Sequence, residues 1–126
     1  MKPHTIFQAI FGFVLLAFVG MGVFGWEPPE VLPAAVPLRD AIFGSGYLIP
    51  VILLVYLVSG LTFLTNRFVA LGSIVLFPVS LNILLFHSIL NRQPPSVGIA
   101  SALFLANVWM LFRSRAAYRD VLAPRP

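Results

Sequence analysis

The sequence predicts an all-α membrane protein, an antiparallel bundle of four transmembrane helices with its N- and C-termini cytoplasmic. Three observations predict it. First, 60% of the 126 residues are apolar and only 10% are charged, with a mean hydropathy of +0.98. A soluble domain has roughly 45–50% apolar and about 25% charged residues. Second, the apolar residues gather into four runs, at 6–25, 47–65, 68–90 and 97–113. Each falls in the roughly 17–25 residues that cross a hydrocarbon core about 30 Å thick. Third, the cations are spread unequally over the topology that these runs impose. The runs leave no stretch long enough for a water-soluble domain, so residues 1–126 read as a single membrane domain. Composition excludes a disordered chain, a nucleic-acid-binding arm and an ordinary cytosolic enzyme. The chain has no cysteine, which excludes thiol–disulfide chemistry and cysteine-ligated clusters or zinc sites.

The first run, 6–25, is interrupted only by Gln8. A signal peptide is the rival reading, because Lys2 precedes the run. Its apolar region is ~7–15 residues, and no small-residue cleavage site stands before Trp26, so the run reads as a span. Residues 26–46 form the one long loop and are placed outside the cell. Pro28, Pro29, Pro33 and Pro37 forbid a continuous helix there. A short helix from Pro37 to Phe43 is expected, ended by Gly44 and Gly46. The second run, 47–65, carries Pro50 in its first turn, where a missing N–H costs little. Asn66-Arg67 is a two-residue break, with Asn66 a candidate helix cap. The third run, 68–90, carries Pro78 in its middle, which frees the carbonyl of Ile74 and should kink the helix. The segment 91–95 is expected to be a turn, and the fourth run should continue into the polar tail.

An even number of spans puts both termini on one side. Lys2, Arg67, Arg113, Arg115, Arg119 and Arg125 fall on that side, and Arg39 and Arg92 on the other. The positive-inside rule makes the terminal side cytoplasmic, and a bacterial cytoplasmic (inner) membrane is the expected location. Trp26 and Tyr47 at the outer interface and Tyr118 at the inner one suit aromatic belts.

Topology turns residue number into depth, at ~1.5 Å per helical residue. Tyr56, Asn82 and Asn107 fall about 12–15 Å from the outer surface, Ser59 and Ser80 slightly deeper, and His87 about 5 Å deep, level with Ser101. Two readings compete: a polar chamber for a head group such as a quinone ring, or hydrogen-bonding glue between helices. No carboxylate, Lys or Arg lies in the interior of a span, Arg113 standing at the very end of the fourth, although proton and ion pathways usually carry one. His87 has three readings: a neutral imidazole bonded to a neighbouring helix, to Ser101 or to the loop; a redox or proton-transfer group; or an axial ligand to haem or a chlorophyll magnesium. Gly98, Ala102 and Ala106 recur every four residues, a stripe that lets another helix approach closely. Gly12, Gly20, Gly22 and Gly25 offer further close approaches. Arg113, Arg115 and Arg119 suit anionic lipid head groups or a docking partner.

Several short strings resemble the DoxX-like membrane proteins. They are Ser45-Gly46-Tyr47-Leu48, Asn66-Arg67-Phe68-Val69, and above all Pro78-Val79, Asn82-Ile83 and Phe86-His87 on one helix, with Ala117-Tyr118-Arg119-Asp120 at the tail. The resemblance implies a four-helix bundle with both termini inside, and accessory subunits of quinone-linked or other membrane redox systems. It also implies a Glu in the second helix, where this chain has Tyr56, and a second acidic position near Leu111. With no soluble domain, buried acid or cysteine, and with small-residue packing stripes, the expected function is an accessory or structural subunit of a larger, energy-converting membrane complex, respiratory or photosynthetic, with other membrane subunits and the lipid bilayer as partners. The alternative is a quinone-reactive redox subunit that uses Tyr56, Asn82 and His87, with a quinone or a pigment as cofactor.

Overall fold

The computed structural model describes residues 2–25 and 30–119. Trp26 and Glu27 of the long loop, and Asp120 and Arg125 of the tail, lie outside them. The described residues are helical, without strands. Four helices are long and apolar enough to cross a membrane. They are α1 (Pro3–Gly25), α3 (Leu48–Thr65), α4 (Val69–Leu85), which runs on through a π-helical turn at Phe86–Leu90, and α5 (Pro94–Arg113). The short α2 (Val36–Gly44) lies between the first two, preceded by a 3₁₀ turn at Pro33–Ala35. It sits where Pro37 and Gly44 predict it.

Local chemistry sets the ends. Ser45 Oγ accepts the amide protons of Tyr47 (3.3 Å) and Leu48 (3.0 Å), which α3 cannot satisfy internally. Asn66 ends α3 in the left-handed region (φ 56°), its N–H bonded to the Thr62 carbonyl. The break is one residue longer than Asn66-Arg67, because Phe68 also takes φ 56°. The fourth span begins earlier than expected. Pro94 and Pro95 open α5 rather than belonging to the turn before it. Proline has no N–H to waste in a first turn and its φ is already helical. The first span likewise starts at Pro3.

The packing is inside-out relative to a soluble protein. Buried polar side chains (Gln8, Ser59, Ser73, Ser80, Asn91 and Asn107) stand beside a small apolar core of Phe11, Leu15, Tyr56, Phe63, Leu76 and Met110. Large apolar side chains face outward: Phe24 is 91% exposed, Phe13 66% and Ile99 65%. Such a surface needs an apolar solvent. The chain is a multi-pass membrane protein in contact with lipid.

α1 packs chiefly on α3, α3 on α4, and α4 on α5. Gly12 and Gly60 make the first of these contacts possible. A Cβ on Gly12 would lie 2.8 Å from the Gly60 carbonyl oxygen and 2.9 Å from the Leu64 nitrogen. Gln8 Nε2 donates to the Phe63 carbonyl (3.0 Å) and to Asn66 Oδ1 (2.8 Å). Phe7 meets Trp109 edge-to-face at 5.0 Å. The start of α1, the α3–α4 turn and the end of α5 therefore share one end of the bundle, the terminal end. At the other, the loop end, Leu32 bonds Asn91.

Candidate functional site

At the loop end the helices part around a cavity of about 840 Å³. α2, α3, the second half of α4 and the start of α5 line it, and Phe18 of α1 closes one side. Its size falls within the roughly 300–1,000 Å³ of small-molecule sites, and its wall has their character, apolar with a few polar groups. Tyr56, Asn82 and His87 all line it, as do Arg39 and Ser96. All six residues of the pairs Pro78-Val79, Asn82-Ile83 and Phe86-His87 line it too. Pairs recurring every four residues share one face of a helix, and this face of α4 is the cavity wall.

Tyr56 is 4% exposed, and its ring lies 6.0 Å from that of Phe18. Its hydroxyl has no hydrogen-bond partner among the described residues. No enclosed side-chain nitrogen or oxygen there goes unpaired, so this oxygen is open to the cavity that Tyr56 lines. An unpaired hydroxyl in an apolar wall is costly unless something arrives to bond it. Asn82 Nδ2 donates to the Pro78 carbonyl (2.7 Å), leaving its second amide proton and its Oδ1 uncommitted.

His87 lies in the π-helical turn, which the Asn91 N–H closes on the Phe86 carbonyl (2.9 Å). Turns of this kind occur frequently at functional sites. The His87 ring is held edge-on by Phe86, at 5.1 Å, and its Nδ1 lies 3.2 Å from Asn91 Nδ2. Its partner is thus Asn91, not Ser101. Asn91 is 1% exposed, and it is the residue that reading the sequence missed. The signal was its spacing, four residues after His87. Arg39 at the α2 side of the cavity forms an ion pair with Asp40 at 3.0 Å.

Asn107, at the same depth as Asn82, belongs to a different arrangement. Its Nδ2 donates to the Ser73 carbonyl (3.0 Å), and its Oδ1 accepts from Ser80 Oγ (2.7 Å). Ser59 Oγ donates to the Gly72 carbonyl (3.0 Å). All three side chains are fully buried and tie α4 to α5 and α3 to α4. The polar residues that the sequence places near mid-membrane therefore divide into a satisfied interhelical set and a cavity set.

Of the α5 stripe, Ala106 packs against the core, whereas Ala102 and Gly98 are exposed and a Cβ on Gly98 would meet nothing within 4 Å. Gly20 likewise approaches nothing, so Gly12 carries the close approach on α1. The Arg113 guanidinium stacks on Trp109 at 5.1 Å and that of Arg115 on Phe112 at 4.2 Å. Arg119 is exposed beyond them. Among the described residues no three His, Cys, Asp or Glu side chains gather into a metal-holding group. No family model, no curated protein and no solved structure matches the chain.

Proposed function

We propose that this chain is a quinone-binding subunit of a bacterial inner membrane, taking the head group into the cavity and leaving the tail between α3, α4 and lipid. The hydroxyl of Tyr56 carries the reading: a polar group in a nearly buried residue, unpaired, on the wall of an apolar cavity of suitable size. Asn82 and His87 supply further hydrogen-bonding groups on the same wall. A planar ring with two opposed oxygens can use two such groups while its body rests on Phe18, Ile52 and Leu103. The helices run antiparallel in this reading, both termini are cytoplasmic, and the cavity lies in the outer half. The DoxX-like resemblance is proposed on the same ground, since its most specific string forms the cavity wall.

The test is titration of the purified protein in nanodiscs with a decyl-substituted benzoquinone. Saturable binding weakened five- to tenfold by Tyr56→Phe and by Asn82→Leu is expected. Absence of binding, or binding indifferent to both changes, would defeat the proposal. Reporter fusions after residue 40 and after residue 119 should read external and cytoplasmic, respectively.

A second reading, an accessory subunit of a larger membrane complex, is favoured by one observation. Gly98 and Ala102 present a small-residue face that no described residue covers, and such faces let helices pack closely. The two readings are compatible, and native mass in a mild detergent tests the second.

A further inference from the structure

The amide of Asn91 has no freedom of orientation. Leu32 precedes a proline, its backbone is extended (φ −65°, ψ 154°), and its N–H is therefore spare. That N–H donates to Asn91 Oδ1 at 2.9 Å. A backbone N–H can only donate, so the oxygen of the amide must face Leu32 and the NH₂ must face His87 Nδ1, 3.2 Å away. An Nδ1–H would then point at another N–H. The neutral imidazole meets this only with Nδ1 as the acceptor and its proton on Nε2. The other ring nitrogen makes no hydrogen bond within the described chain, and His87 lines the cavity.

We infer that Asn91 is a positioning residue that makes His87 an obligate hydrogen-bond donor, so that the cavity selects a head group with a strong acceptor, the carbonyl of an oxidised quinone over the hydroxyl of the quinol. The selection rests on the quinone reading above; the fixed tautomer does not. The chain of bonds runs from the loop backbone at Leu32 through a buried amide to the ring. Nothing in it depends on the ligand being present. Asn91→Asp reverses the polarity of the middle link. A carboxylate can still accept from Leu32, but it presents only acceptors to His87, and a proton must then stand on Nδ1.

The experiment is ¹⁵N NMR of ring-labelled histidine in the full chain in nanodiscs, without ligand, at a pH where the wild-type ring is neutral. The chain has two histidines, and the His4→Gln variant assigns the signals. Wild type should show His87 almost wholly as the Nε2–H tautomer, and Asn91→Asp should show protonated Nδ1. A wild-type Nδ1–H signal, or an even mixture, overturns the inference whether or not any variant folds. The same samples are titrated with decyl-benzoquinone and its reduced form. Wild type should bind the oxidised form at least about fivefold more tightly, and Asn91→Asp should bring that ratio towards one. Equal wild-type affinities overturn the selection. An Nε2–H tautomer with no quinone binding sinks the quinone reading and leaves the role of Asn91 in place.

Discussion

The two ends of the bundle treat their polar side chains in opposite ways. At the terminal end the helices touch through glycine, and polar side chains find their partners. Gln8 reaches two acceptors on α3 and its turn, and Gly12 lies against Gly60. At the loop end the helices separate, Pro78 withholds a backbone donor, and Tyr56 and His87, which line the cavity, keep a hydroxyl and a ring nitrogen unpaired among the described residues. A bundle in lipid has no hydrophobic force holding its helices together and depends on packing and internal hydrogen bonds. One end meets that requirement fully. The other departs from it, and such departures mark sites better than polarity does.

The comparison breaks if the terminal end can be loosened without harm. Gly12→Leu would push side-chain carbon into the backbone of α3. A destabilisation of about 3 kcal/mol or more is expected, read from tryptophan fluorescence during unfolding of detergent-solubilised protein. Wild-type stability would mean that the α1–α3 crossing does not hold the fold. Next in size is the effect of Tyr56→Phe on binding. Loss of a hydroxyl that bonds no described residue should leave stability within about 0.5 kcal/mol, while quinone affinity falls about tenfold. Asn107→Leu should do the reverse. It removes two interhelical bonds averaging about 0.6 kcal/mol each, so stability should drop by about 1 kcal/mol, with quinone affinity unchanged in the same titration. If both asparagine changes, Asn82→Leu and Asn107→Leu, had the same phenotype, the division into glue and site would be lost. The smallest effect is expected of Ala102→Leu. On an exposed face it should alter unfolding by less than about 0.5 kcal/mol, and its consequence should be confined to native mass if a second membrane subunit packs there.

Much of the fold was legible because the signals were local. Four apolar runs, the prolines of the loop and Asn66 each act within one turn of chain. Pro94 and Pro95 misled for the same reason in reverse: proline breaks a helix from within but begins one well, and local composition does not say which. The site was half legible. Counting residues gives depth along a helix and nothing about direction around it, so Asn82 and Asn107 looked equivalent. About 100° per residue separates one face from another, and only the packing of α4 on α5 told which asparagine was enclosed. Asn91 was half legible: its spacing of four suggests the contact with His87, whereas its bond to a backbone N–H 59 positions away leaves no mark in the sequence. The pairs Pro78-Val79, Asn82-Ile83 and Phe86-His87 recur every four residues, and that spacing alone describes a single face of a helix.

The π-helical turn at Phe86–Leu90 works like a vernier. Its bond closes over five residues where an α-helix closes over four, so the chain beyond it is set back by one position. The same residues wound as an α-helix would carry Asn91 about 100° further around the axis, away from the Leu32 N–H whose bond it now accepts. In this chain a single surplus residue is the joint through which a segment outside the hydrocarbon sets the chemistry of a ring within it.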